Sequence, residues 1–180
     1  MNIAKLKKFV KPFYESKDIM HDLSHIERVL ITLDGILKYS EDSYDYNIIV
    51  YAAYFHGFIY SDESIIIKWL QKEGLEESKI NKIIKVSWES QKDKSAETLE
   101  GKLLHDAHMI EGGKVFLVTK SLITGSVRGQ TLEETIKYIE KHILGEGICY
   151  FEKTRQIYKE AQEYTKDYIT KLKCGINGQI

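Results

Sequence analysis

The chain has one proline in 180 residues, two cysteines and almost no net charge. Each scarcity excludes something. Proline normally makes up about 5% of a globular sequence, and its near absence favours uninterrupted helices over turn-rich β architecture. Cys149 and Cys174 are too few for a disulfide framework, and neither has a second cysteine at metal-site spacing; Cys149 is read as inert. Twenty-six Lys and Arg against 27 Asp and Glu leave a formal charge of −1, so no excess calls for nucleic acid or an anionic membrane as main partner. No apolar run approaches the roughly 20 residues that cross a bilayer. The longest, Ile48 to Phe58, is interrupted by His56 and Gly57. Residues 1–11 are basic through Lys5, Lys7, Lys8 and Lys11, but no apolar signal core follows. The expectation is a soluble cytoplasmic protein.

What is present is helical periodicity. With 43% hydrophobic and 29% charged residues the composition is that of an ordinary folded domain, neither disordered nor collagen-like. Ile26, Val29, Leu30, Leu33, Ile36 and Leu37 form one apolar stripe. Asp45 to Phe58 is apolar nearly all round and reads as a central buried helix with Asp45 as its N-cap. Further helices are expected over Ser64–Glu73, around Ile80–Trp88, and from Leu99 to Ile110 before Gly112-Gly113. A short apolar helix is expected over Val115–Ile123, with a loop at Gly125–Gln130. Thr131 and Glu134 have capping-box spacing and open a helix through Ile143. Gly145 and Gly147 break the chain, and a last helix runs from about Thr154 to Leu172. No repeat, linker or strand-like alternation is found. The fold expected is all-α: one domain of eight or nine helices over residues 1–173, with a flexible tail at 174–180. Twelve Tyr and six Phe at helical spacings read mostly as core, which leaves oligomerisation open.

The histidines are clustered. His21 and His25 are four apart, on one face if a helix has begun by His21; His56 ends the oily helix; His105 and His108 flank Asp106 and Ala107; His142 stands alone. A single histidine on an apolar face is usually a satisfied core or surface residue. His56 resists that reading, because both of its ring nitrogens need partners at the end of an apolar helix. Asp106 lies between Leu103-Leu104 and Met109-Ile110, where a carboxylate must be paired, protonated or bound to a cation. Imidazoles plus one carboxylate from different helices are a normal way to build a divalent metal site.

These segments resemble a known family. His21-Asp-Leu-Ser-His25-Ile-Glu-Arg28-Val29 is similar to the opening motif His-Asp-x-x-His-x-x-Arg-Val of a bacterial branch of the HD superfamily of metal-dependent phosphohydrolases. Tyr51-Ala-Ala-Tyr-Phe-His56-Gly57 resembles the helix that carries the family's His-Asp doublet. Thr98 to Ala107 resembles the segment ending in the fourth, aspartate ligand. The likeness runs from about His21 to Leu122, and Tyr150 to Leu172 resembles the closing helix. It implies an HD-domain-like helical bundle with metal ligands at His25, His56 and Asp106. The doublet aspartate falls on Gly57, which offers no side-chain oxygen. His21, Asp22, His105 and His108 lie near matched positions, as substitute ligands or as neighbours that orient ligands.

The resemblance further implies a divalent ion (Mn, Fe, Co, Ni or Zn) that polarises a phosphoryl oxygen and lowers the pKa of attacking water. Asp62 and Glu63 follow the doublet as candidates for proton transfer; each also fits a helix N-terminus complementing the macrodipole. Arg28 and Lys102 match motif positions and would hold phosphate charge, or equally form structural salt bridges. Lys114 and Arg128 are weaker candidates, because loop cations are usually solvated. The expected function is hydrolysis of a nucleotide or other small phosphate ester or anhydride. Two alternatives stay open: a relative that has lost metal catalysis with Gly57 and binds a ligand or partner, and an unrelated helical domain with structural histidines.

Overall fold

Nine α-helices and no strand make up the described residues, 1–39 and 43–179 of the computed structural model. They are α1 (Ile3–Tyr14), α2 (Leu23–Leu37), α3 (Tyr46–Phe55), α4 (Ile59–Lys72), α5 (Glu77–Glu89), α6 (Leu99–Met109), α7 (Gly113–Val127), α8 (Leu132–His142) and α9 (Glu152–Ile176). The all-helical architecture is the one that periodicity predicts. The central apolar stretch becomes α3, buried at every position from Ile48 to Phe55. Asp45 caps it, accepting from the Asn47 and Ile48 amides. Thr131 and Glu134 close the predicted capping box on α8. No described helix is long and apolar enough to cross a membrane.

The differences have physical reasons. The sequence reading assigns no helix to the basic N-terminus, yet α1 forms because Leu6, Val10 and Tyr14 bury one stripe while its lysines stay outside. Proline lacks a backbone N–H, and Pro12, in the last turn of α1, therefore interrupts the helical bonding only near its end. Helix α4 starts earlier than Ser64, with a kink at Asp62 (φ −129°, ψ 23°). The expected loop at Gly125 is helical: Gly125 is buried inside α7, and a Cβ there would meet Thr135 Oγ1 at 2.2 Å. This glycine permits close helix approach and does not mark a break. Helix α9 runs to Ile176, beyond the Leu172 that the pattern marks as its end, and Ile180 lies outside the described residues.

The chain divides into two compact units, Met1–His108 and Met109–Ile180, where the sequence marks no boundary. In the second, α7 packs on α8 and α9 around Val118, Ile136, Ile139 and Ile169. In the first, α3 packs against α1, α2 and α5, and Leu33, Ile49, Phe55, Ile66 and Ile83 are fully or almost fully buried.

Helix α6 is anchored at its start by two buried acids. Glu89 accepts from the Glu97 and Thr98 amides and from the Thr98 hydroxyl. Glu100 accepts from the Asp45 amide at 3.1 Å and Lys82 Nζ at 2.6 Å. Burial pushes the Glu100 carboxyl up, but the Lys82 and backbone bonds outweigh it and hold the group below its ordinary value. A Cβ on Gly101 would stand 1.9 Å from Glu89 Oε2. Gly101→Ala is therefore expected to displace Glu89 and lower stability by about 1–3 kcal/mol; thermal unfolding that matches wild type would show that this anchor does not matter.

Candidate metal centre

Three imidazoles from three helices converge. His25 lies in the first turn of α2, His56 caps the C-terminal end of α3, and His108 sits in the last turn of α6. One ring nitrogen from each comes within 4.8 Å of the other two. Ring centroids are 5.9 Å apart for His25 and His56, 5.1 Å for His25 and His108, and 4.4 Å for His56 and His108. His25 is buried and the other two are partly so. A zinc ion held there would need each of the three nitrogens within ~2.0–2.1 Å of it.

The tautomer of His56 follows from its neighbour. Ser90, fully buried, has one hydroxyl proton and donates it to the Ser87 carbonyl at 2.7 Å. The 2.8 Å contact between Ser90 Oγ and His56 Nδ1 must then run the other way, with Nδ1–H donating. The Gln91 amide nitrogen is 3.2 Å from the same Nδ1, but its protons are directed at the His56 and Ser87 carbonyls. In the neutral ring this arrangement puts the lone pair on His56 Nε2, the form a metal ligand needs.

The set differs from the one the resemblance implies. Among the described residues His25 and His56 cluster with His108, and Asp106, two residues before His108, is not among these three. Side chains two apart on a helix project about 200° apart, so the two positions serve different faces. Asp106 is fully buried with its Oδ1 3.5 Å from His105 Nδ1. His21 lies before α2, not on it, because Asp22 is the N-cap and accepts from the Ser24 amide and hydroxyl. His21 Nδ1 meets Asp18 at 2.8 Å and 3.0 Å, and its ring is 6.1 Å from that of His25. Asp18 carries no signal in the sequence beyond its proximity to His21.

The other candidates are placed as follows. Arg28 donates to Ser24 Oγ at 2.7 Å, and Lys102 is half-buried on α6. Asp62 occupies the α4 kink and accepts from Ser61. Glu63 accepts from the Trp88 indole at 2.6 Å, which ties it to α5. Lys114, Arg128 and His142 lie in the second unit and are exposed.

Gly57 has a specific partner. A Cβ built there would stand 2.6 Å from the Tyr14 hydroxyl and 2.8 Å from two ring carbons. The phenol fills the room a side chain would need, accepting from the Gly57 amide at 3.1 Å and donating to the Tyr54 carbonyl at 3.0 Å. Burial pushes the Tyr14 phenol far above its ordinary range, so it stays a neutral packing and hydrogen-bonding group. Lys17 donates to the Gly57 carbonyl at 2.5 Å; sequence reasoning overlooks it because it lies before the first motif.

Solved structures supply a likeness over nearly the whole chain. Bacillus subtilis YpgQ in complex with ADP superposes with a TM-score of 0.75 at 18% identity, covering 99% of this chain and 100% of that one. A second YpgQ crystal structure gives 0.73, also at 18%, over the full length of both chains. The Lin1889 protein from Listeria innocua gives 0.70 at 24% identity over 98% of each. At these identities the likeness is one of fold. No protein-family model matches the sequence, and no curated protein does.

The Tyr14–Gly57 contact predicts a coupled pair. Gly57→Asp alone overfills the space and is expected to cost about 1–3 kcal/mol. Tyr14→Ala combined with Gly57→Asp should be more stable than the two single effects add up to, by at least about 1 kcal/mol in a double-mutant cycle. Additive unfolding free energies would contradict the steric account.

Proposed function

We propose that this chain is an HD-superfamily phosphohydrolase that holds a divalent transition metal on His25, His56 and His108 and acts on a nucleotide or similar small phosphate ester or anhydride. The observation that carries the reading is the convergence of three imidazole nitrogens within 4.8 Å, at the ends of helices whose sequences resemble the family's ligand segments. The donors fit such an ion: a nitrogen-only set suits Zn, Fe or Ni better than oxygen-seeking Mg or Ca. When bound, the ion supplies polarisation of a phosphoryl oxygen and acidification of water. The fixed Nδ1–H of His56 keeps its lone pair on Nε2 for that purpose. The ADP held by YpgQ, a protein of the same fold, supports a nucleotide as the class of ligand.

Tyr14 and Gly57 favour a second reading. With the doublet carboxylate replaced by a packed phenol, the site has one acidic ligand fewer, and a relative that binds nucleotide without turnover is the alternative.

Metal analysis and activity separate the two. Protein purified without chelator is expected to carry about one equivalent of transition metal, and to release phosphate or pyrophosphate from a nucleotide panel supplemented with Mn, Co, Ni or Zn. His56→Ala and His108→Ala should each lose metal and at least about 10-fold in activity, the scale of loss seen even for groups that only orient ligands. Asp106→Asn should retain the metal if the ligand set is three histidines. Wild type with neither metal nor turnover would sink the enzymatic reading.

A further inference from the structure

The turn between α1 and α2 reaches the cluster through two adjacent residues. Asp18 holds His21, whose ring lies 6.1 Å from that of His25. Lys17, one residue earlier, is pinned to the carbonyl of Gly57, the neighbour of His56. Its ammonium is partly buried and lies 5.4 Å from the centroid of the Tyr14 ring. An ammonium has three N–H donors, and among the described residues the Gly57 carbonyl is the one protein acceptor for Lys17. The adjacent Asp18 acts on Lys17 electrostatically, while its carboxylate accepts from the Met20 amide and meets His21 Nδ1. A partly desolvated cation with open donors calls for an anion.

The charge balance around the cluster sharpens this. Where the family resemblance places an aspartate, this chain has a backbone carbonyl with an ammonium on it. Lys17 therefore places a positive charge beside His56, the sign that attracts phosphate.

We infer that Lys17 is a phosphate-binding residue of this site, its remaining N–H groups donating to phosphoryl oxygens of a nucleoside diphosphate or related anion without requiring the metal. The inference rests on reading the histidine cluster as a phosphate-substrate site, and it adds the residue that would bind the charge.

Calorimetric titration with ADP tests it, in EDTA and again with one equivalent of zinc. Wild type is expected to bind ADP in EDTA. Lys17→Met should weaken that binding about tenfold or more, while Lys17→Arg, which keeps the charge, should stay within about threefold. Zinc content of Lys17→Met should equal that of wild type, which also verifies its fold. Wild-type ADP affinity in Lys17→Met, or no ADP binding by wild type in EDTA, would overturn the inference even if metal and turnover are present. ADP binding that depends on Lys17 in a protein with neither metal nor turnover would leave it standing and remove the hydrolase reading alone.

Discussion

A half-buried imidazole at the end of an apolar helix has two nitrogens to partner, and the rest of the site depends on how His56 does so. Its helix is oily along its whole buried length and ends at this residue. One ring nitrogen is satisfied by Ser90, itself fully buried and committed to a backbone carbonyl. The other is left to meet His25 and His108, which arrive from separate helices. Tautomer and convergence thus follow from one constraint: an apolar helix that terminates in a polar ring with two nitrogens to partner.

The second constraint is steric. Gly57 does not adopt a left-handed conformation, so its backbone does not require glycine. The requirement comes from the Tyr14 ring, which stands where a side chain would be. The Tyr14 phenol occupies the space that any side chain at position 57 would need, and Lys17 adds a positive charge beside it. A divalent ion held by nitrogens alone would keep its full charge uncompensated, as in the three-histidine zinc enzymes, and so pull more strongly on anionic oxygen.

Much of the fold was legible because it is written locally. The stripe of α2, the apolar α3 and the capping box of α8 are patterns of adjacent residues. Gly125 misled because a glycine needed for close helix packing looks the same in sequence as one that ends a helix. Helix α1 was missed because its lysines dominate a segment whose apolar positions are few. At the site, His25 and His56 could be singled out from motif and context. The choice between Asp106 and His108 could not, because it turns on which face of α6 meets the other helices. Tyr14, Lys17, Asp18 and Ser90 act through contacts spanning up to 43 residues of sequence or through a turn with no motif, so only packing exposes them.

X-ray absorption spectroscopy of the zinc- or cobalt-loaded protein tests the central claim most directly, because it counts the ligands of the ion. The account predicts one ion per chain with three imidazole nitrogens at about 2.0–2.1 Å for zinc and the remaining positions filled by light atoms from solvent. A spectrum with fewer than two imidazoles, or a protein that binds no ion tightly enough to measure, would contradict it.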